Sequence, residues 1–320
     1  TALYVGTVRT TTDYLWKVKT RLEALQAADG IHRVFIVTPD QVGQANPHYR
    51  DFVQNQIALK GRHHPSVMTE LFNEPLDTAA GLFTARRLAL LMGKHPRQRQ
   101  PTPNTVYIAA LDVGGQDERA TAGLFGDLAN PGRDYTICTI AQVTPTERGP
   151  HFTAVDLFED QGSRHFQPAP GQPALFDRLL AYLNHWQPIA VICDSTGVGQ
   201  GITDALVKAY PHQIVPFMFT GSSKAALGNN FLALIETGRF QYWQVTDDKD
   251  AQKFIQQCER CTYALAEGVP IEHGLHWGVP TNAKFHDNDG QTHPVHDDRL
   301  ISAALFAQAA QLIKLGAIFV

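Results

Sequence analysis

The segment Ile189-Ala-Val-Ile-Cys193 constrains the fold of this chain more than any other feature. It is a short, unbroken apolar run, which is typical of a strand that is buried on both faces of a sheet. A helical pattern precedes it at Ala174 to His185, and another follows at 200–209. A strand of this kind between two helices predicts an α/β domain.

The remaining patterns downstream of residue 105 predict a mixed sheet with helices on its faces. Three β-type runs separated by turn residues come first and are expected to pair antiparallel: Val106 to Val113, Tyr135 to Val143 and Phe152 to Phe158. After the buried strand we predict a strand at Ile214 to Phe219 and helices near 223–237, 249–265 and 298–315. Three strands followed by alternating helices and strands are the pattern of such a layered sheet.

Residues 1–92 predict a strand-helix-strand arrangement that is too small for a complete α/β domain. The strands are expected at Leu3 to Val5 and Arg33 to Val37, the first helix at Asp13 to Ala27, and further helices near 48–60 and 65–72. Because the chain begins at Thr1 and an apolar segment follows almost at once, we expect it to come from the middle of a larger protein.

Residues 93–104 predict an interdomain linker. They contain three prolines and three basic residues and no acid, a composition that cannot continue a helix or enter the interior of a sheet. The predicted organisation is therefore 1–92, a linker at 93–104 and a main domain at 105–320.

Composition limits the class of protein. Hydrophobic residues make up 43% of the chain, no run approaches 18 apolar residues, and no signal-peptide pattern is present at the start, so we expect a cytoplasmic protein without a membrane segment. Four cysteines are too few for a disulfide scaffold. The net charge of -4 does not indicate a nucleic-acid protein, so a DNA substrate would require local basic patches and metal ions.

Two aspartates end predicted strands. Asp112 closes Ile108-Ala-Ala-Leu-Asp, and Asp194 follows the buried strand in Cys193-Asp-Ser-Thr-Gly-Val-Gly199. A charge at the end of a strand is costly without compensation, and the carboxyl ends of strands are where α/β sheets place their sites. We therefore predict that both aspartates face one crevice as metal ligands.

Asp297 and Asp298 open the last apolar helix and have two interpretations. Acids at the start of a helix can simply cap it and interact well with its dipole. Alternatively, together with the strand-end aspartates they supply the three or four carboxylates of a two-metal site for Mg²⁺ or Mn²⁺. Without cations, clustered carboxylates repel one another and raise each other's pKa.

The ordered set of motifs resembles the large subunit of tailed-bacteriophage terminases, which packages and cuts viral DNA. The resemblance rests on Ala-Leu-Asp-Val-Gly-Gly ending at 115, on the segment around Asp194, on Ser223-Lys224 opening a helix that leads to Arg239, and on His296-Asp-Asp before an alanine-rich helix. It covers nearly all of 105–320.

The resemblance implies an RNase H-like nuclease domain whose metal-binding acids correspond to Asp112, Asp194 and Asp297, with Asp298 adjacent and Asp117 as a further contributor. It also implies that residues 1–92 are the end of a P-loop ATPase-type motor domain. No Gly-x-x-x-x-Gly-Lys-Ser/Thr loop occurs in the chain, so ATP hydrolysis by this chain alone is not expected.

The implied function is cutting of concatemeric double-stranded DNA by an endonuclease that uses two Mg²⁺ or Mn²⁺ ions, at the procapsid in the bacterial cytoplasm. Portal protein and small terminase subunit are the implied partners. Lys224, Arg239 and His296 are candidates for contacting phosphate or tuning the site.

Two alternative functions and one alternative metal site remain open. The same fold occurs in other RNase H-like nucleases, such as Holliday-junction resolvases and transposase-like enzymes, and the chain could be a non-catalytic motor segment that binds DNA and the portal. Cys258, Cys261, His273 and His276 have a spacing that superficially resembles a zinc site. Both cysteines, however, fall in a predicted helix.

Overall fold

The computed structural model describes residues 2–77, 81–116, 134–169, 171–246, 248–286 and 292–319. Its largest element is a six-stranded sheet with the strand order β5-β4-β1-β2-β3-β6. The strands are β1 Tyr107–Asp112, β2 Tyr135–Thr144, β3 His151–Gln161, β4 Ala190–Asp194, β5 Ile214–Phe217 and β6 Phe240–Gln241.

The sheet is mixed, as predicted. β2 pairs antiparallel with both β1 and β3, whereas β4 is parallel to β1 and β5 is parallel to β4. β6, which the sequence did not predict, pairs with β3 through Phe152 and Phe240. This arrangement confirms the RNase H-like mixed sheet with flanking helices.

Helices cover both faces of the sheet, and strand alternation decides which residues each face receives. Along β1, Tyr107, Ala109 and Leu111 pack on one face, while Ile108 and Ala110 pack on the other. The first face is covered by α5 Leu175–Trp186 and α6 Gly199–Ala209. The second is covered by α7 Gly221–Glu236, α8 Lys249–Arg260, α10 Asp298–Ala304 and α11 Phe306–Lys314.

The helix predicted at 249–265 is too long. α8 ends at Arg260, and the following residues form β7 Thr262–Leu265, which pairs with β8 Leu275–Gly278 on either side of the short helix α9 Ile271–Gly274. A second hairpin joins β9 Lys284–His286 to β10 Thr292–Pro294. The helix predicted at 298–315 is divided into α10 and α11 at Leu305.

The two strands predicted for the N-terminal region are wrong, whereas the helix predicted at Asp13 to Ala27 is confirmed. Neither predicted segment forms a strand, and Leu3, Val5 and Val37 are largely exposed, with Leu3 at 87%. An apolar run forms a β-strand only where another strand lies beside it to pair with, and the described part of this region offers none, so the backbone of these exposed segments is left to water. The region instead contains α1 Tyr14–Asp29, α2 Pro39–Ala45, α3 Pro47–Lys60, a π-helical turn at Val67–Leu71 and α4 Ala85–Leu91.

Residues 81–104 pack against the large sheet. Leu82 and Leu91 are buried in the core beneath α7 and α8. The proline-rich segment 93–104 forms neither helix nor strand, but the backbone N–H of Gly93 donates to the carbonyl of Tyr242 at 2.7 Å and that of Gln98 to the carbonyl of Val155 at 2.8 Å. The segment is thus held along the side of the sheet.

Candidate metal centre

Asp112 and Asp194 lie side by side at the same edge of the sheet. β1 and β4 are parallel neighbours, and Leu111 pairs with Cys193, so the aspartates that follow are adjacent strand ends. By strand alternation both side chains point to the face that carries α10. This arrangement follows directly from the two local patterns that predicted them.

α10 brings Asp297 and Asp298 to the same cleft, which has a volume of about 310 Å³. Asp298 is buried, and its Oδ2 accepts a hydrogen bond of 3.0 Å from the backbone N–H of Tyr135. Asp297 is more exposed, and its Oδ2 lies 3.9 Å from Nζ of Lys224. Four of the five predicted aspartates, Asp112, Asp194, Asp297 and Asp298, therefore line one cleft.

Helix capping does not account for Asp297 and Asp298. Asp297 occupies the N-cap of α10 but makes no capping hydrogen bond through its side chain. The cap is supplied by α8, since Oε1 of Gln257 accepts from the backbone N–H of Leu300 at 2.9 Å. Of the two interpretations that the sequence left open, capping is the one that the contacts do not support.

The cleft is electrostatically unfavourable for several ionised carboxylates. Burial raises the pKa of Asp112 well above its ordinary value, and the charges of Asp298 and Asp194 raise it further. Burial also raises the pKa of Asp298 to about 7, against the hydrogen bond from Tyr135. Burial raises the pKa of Asp194 although the Thr196 backbone N–H donates to it at 2.8 Å. Cations would relieve this repulsion.

Asp134 also lines the cleft and was missed by the sequence analysis. β2 runs antiparallel to β1, so the residue just before β2 lies beside the end of β1 that carries Asp112. Oδ1 of Asp134 lies 2.9 Å from Nδ1 of His296. This hydrogen bond raises the pKa of His296 and lowers that of Asp134. In the sequence, Asp134 is recognisable only as an acid that stands immediately before the strand predicted at Tyr135 to Val143.

Lys224 is the predicted cation that reaches the cleft. It lies in the first turn of α7, and its carbonyl accepts a hydrogen bond of 2.8 Å from Nε1 of Trp277. Its ammonium group lies 5.4 Å from the centroid of the same indole ring. Trp277 therefore contacts both the backbone carbonyl and the ammonium group of Lys224 and keeps this lysine beside Asp297.

Arg239 does not reach the aspartates. It lines a separate pocket of about 560 Å³ together with Arg148 and Lys314, and its Nε donates to Oγ1 of Thr237 at 2.8 Å. It follows the C-terminal end of α7, a helix of 16 residues that is ~24 Å long, whereas Lys224 lies at the other end. Its predicted role in tuning the cleft is therefore not supported. Asp117 lies outside the described residues.

The donor set of the cleft fits Mg²⁺ or Mn²⁺, because both ions prefer carboxylate oxygens. Among the described residues, no three Asp, Glu, His or Cys side chains already converge on a single point. Cation binding would therefore have to draw the aspartates together. The zinc-like pattern does not assemble, since Cys258 and Cys261 are buried while His273 and His276 are exposed.

A mixed sheet of this order, with acids at the carboxyl ends of two parallel neighbours and at the start of the final helix pair, defines a domain of the RNase H-like class. The family model described as the terminase RNaseH-like domain matches residues 132–304. The chain belongs to this family, and its large domain has the fold of a terminase nuclease domain.

Three solved structures of phage proteins are similar to this chain at low sequence identity. The large terminase nuclease from thermophilic phage G20c with bound magnesium is 17% identical, with a TM-score of 0.47 over 69% of this chain and 94% of that chain. The nuclease domain of the Thermus phage P74-26 large terminase is 17% identical, with a TM-score of 0.40 over 68% and 90%. The HK97 bacteriophage large terminase is 13% identical, with a TM-score of 0.39 over 91% and 55%.

No curated protein matches the sequence. Within the described ranges, no helix is both long and apolar enough to cross a bilayer.

Proposed function

We propose that this chain is the nuclease part of a viral DNA-packaging terminase and that it cuts concatemeric double-stranded DNA by metal-dependent phosphodiester hydrolysis. The observation that carries the proposal is that Asp112, Asp194, Asp297 and Asp298 all line one cleft of a terminase-family domain. Capping does not explain the pair on α10, and burial makes the cluster costly unless it binds cations.

Asp112, Asp194 and the pair Asp297/Asp298 would hold two Mg²⁺ or Mn²⁺ ions, with Asp117 as a further contributor. When bound, such ions activate water and offset the charge that develops on the leaving oxygen of a phosphodiester. The large terminase nuclease from thermophilic phage G20c has been solved with bound magnesium, cobalt and zinc, which supports divalent cations as the ligands proposed here.

The side chains around the aspartates have separate tasks in this proposal. Lys224 lies close enough to Asp297 to contact a phosphate that occupies the cleft. His296 keeps its Nδ1 proton directed at Asp134, and the resulting pair orients the imidazole at the cleft margin. Asp112 is fixed by the backbone of a central strand, so its carboxylate has little freedom to move away from the cleft.

The proposed assembly extends beyond the cleft. Residues 1–92 would be the end of a motor domain, 93–104 its connection and 105–320 the nuclease domain, working at the procapsid in the cytoplasm of a bacterial host. Portal protein and small terminase subunit are the proposed partners. The chain has no phosphate-binding loop motif, so ATP hydrolysis would depend on sequence outside these 320 residues.

Plasmid cleavage tests the proposal. With Mn²⁺ or Mg²⁺ the protein should nick or linearise supercoiled plasmid, and Asp194→Ala should lose this activity. Asp204→Ala is the matched control, because Asp204 is an exposed aspartate on α6. Equal cleavage by wild type and Asp194→Ala would overturn the assignment. A strong preference for branched over linear duplex DNA would indicate a resolvase instead.

A further inference from the structure

A second depression of about 640 Å³ lies next to the acidic cleft, between α8 and the β9–β10 hairpin. Tyr135 and His296 lie on it, and Tyr135 also lines the acidic cleft. A ligand that occupies the cleft can therefore continue into this groove.

The α8 wall of the groove is basic and polar. Lys249, Gln252, Lys253 and Gln256 follow one another at helical spacing and line the groove. The opposite side of α8 is buried in the core through Phe254. This amphipathic arrangement leaves two ammonium groups and two amides for a ligand.

No acidic side chain of the described residues lines this groove. Lys249 makes no ion pair with any residue that the structure describes. Nζ of Lys253 lies 3.3 Å from Oε1 of Glu159, but this lysine is 47% exposed, and an exposed pair of this kind is weak and readily exchanged. In a chain whose net charge is -4, the groove is a local concentration of positive charge.

The opposite wall is attached to α8 at its base. Nε of Arg260, the last residue of α8, donates to the carbonyl of Lys284 at 3.1 Å, and the Arg260 guanidinium lies 5.8 Å from the ring centroid of Phe285. The Val295 backbone N–H donates to the carbonyl of Ala283 at 3.0 Å. The described part of the hairpin thus presents Phe285 to the groove from a fixed position.

We propose that this groove binds the phosphodiester backbone of the DNA strand that flanks the segment in the acidic cleft. Lys249 and Lys253 are four residues apart, ~6 Å along the helix axis, so one strand can contact both. Gln252 and Gln256 would donate to phosphate or sugar oxygens, and Phe285 would pack against the sugar or a base. The identity of the ligand rests on the function proposed above.

The groove explains how an acidic protein attracts a polyanion. The cleft repels phosphate unless cations occupy it, whereas the groove binds phosphate without them. Binding by the groove is therefore measurable when no divalent ion is present and no cleavage takes place.

The test is fluorescence anisotropy of a labelled DNA duplex in EDTA at several NaCl concentrations. The double variant Lys249→Gln/Lys253→Gln should bind more weakly than wild type, and the slope of log K against log [salt] should fall by about 2, because each lost phosphate contact contributes roughly 0.9. The double variant with arginine at both positions should restore the slope. The control is Lys17→Gln/Lys208→Gln, which removes two exposed lysines on α1 and α6.

The outcomes separate the two proposals. An unchanged slope in Lys249→Gln/Lys253→Gln, an equal loss in the control, or no DNA binding by wild type would overturn the groove. If groove-dependent binding is found but no cleavage occurs with Mn²⁺, only the nuclease proposal fails. If cleavage occurs while the slope is unchanged, only the groove proposal fails.

Discussion

Replacing Arg97 with methionine should destabilise the protein by about 3 kcal/mol, although Arg97 lies in a segment that the sequence predicts to be a linker. Its side chain is 9% exposed and makes three strong contacts. Nε donates to Oδ1 of Asp156 at 2.7 Å, Nη1 to Oδ2 of Asp250 at 2.6 Å and Nη2 to the carbonyl of Leu157 at 2.9 Å. The segment is thereby joined to β3 and to α8.

The size of this stability loss depends on which contacts Asp156 and Asp250 keep when Arg97 is removed. Removing one member of a buried ion pair costs about 3–5 kcal/mol, because the other charge remains buried. Among the described residues, Asp156 would keep a hydrogen bond of 3.1 Å from the Tyr182 hydroxyl and the distant Arg99. Asp250 would keep Arg299 at 3.2 Å, which limits the loss to the lower end of the range.

Arg99 provides a matched control two residues away. Its Nη1 lies 3.8 Å from Oδ1 of the same Asp156, but its side chain is 70% exposed. Arg99→Met should therefore cost less than about 0.5 kcal/mol. Urea unfolding followed by circular dichroism measures both. If Arg97→Met is as stable as Arg99→Met, the buried ion pairs do not hold segment 93–104 to the nuclease domain, and the reasoning is refuted.

Three further substitutions test how the cleft is built. Gly228→Ala should lower the free energy of unfolding by about 1–3 kcal/mol and impair cleavage, because an added Cβ would lie 2.2 Å from Nε1 of Trp277. The control is Gly221→Ala, whose added Cβ meets nothing within 4 Å, and thermal unfolding should show no loss of stability for it. Gln257→Met should cost about 1–3 kcal/mol in urea unfolding, because a buried backbone N–H of α10 loses its acceptor; unchanged stability would show that the cap is dispensable. Asp298→Asn in EDTA should be more stable than wild type by on the order of 4 kcal/mol at pH 8, because the pKa of Asp298 is raised from 3.8 to about 7 and each tenfold change in proton affinity is worth about 1.4 kcal/mol. Because the pKa of Asp298 is raised to about 7, its ionisation destabilises the folded wild type as pH rises from about 4 to 7. The stability advantage of Asp298→Asn should therefore vanish near pH 4. A stability difference that does not change with pH would contradict this cause.

The sequence predicted which aspartates lie together because their signals are local. Asp112 and Asp194 each follow an apolar run, and a strand that ends in an acid can be recognised without knowing its neighbours. Asp297 and Asp298 were recognised by their place before an apolar helix, but only Gln257, a residue on another helix, decides that they do not serve as caps.

The features that the sequence missed or misplaced depend on how distant segments pair and on how far a helix runs. Asp134 reaches the cleft only because β2 is antiparallel to β1, and the strands expected at Leu3 to Val5 and Arg33 to Val37 fail because no described strand lies beside them. Arg239 was assigned to the site by resemblance alone, and the length of α7 carries it away. Local propensity does not reveal which strands pair or how far apart the two ends of a helix place their residues.

Isothermal titration with Mn²⁺ tests the central claim most directly, since it asks whether the aspartate cleft binds cations at all. The account predicts that wild type and Asp204→Ala bind two ions per chain and that Asp194→Ala loses this binding while remaining folded by circular dichroism. A non-catalytic segment that uses its acids only for structure would bind no ions. Absence of binding by the wild type, or identical binding by Asp194→Ala, would contradict the account.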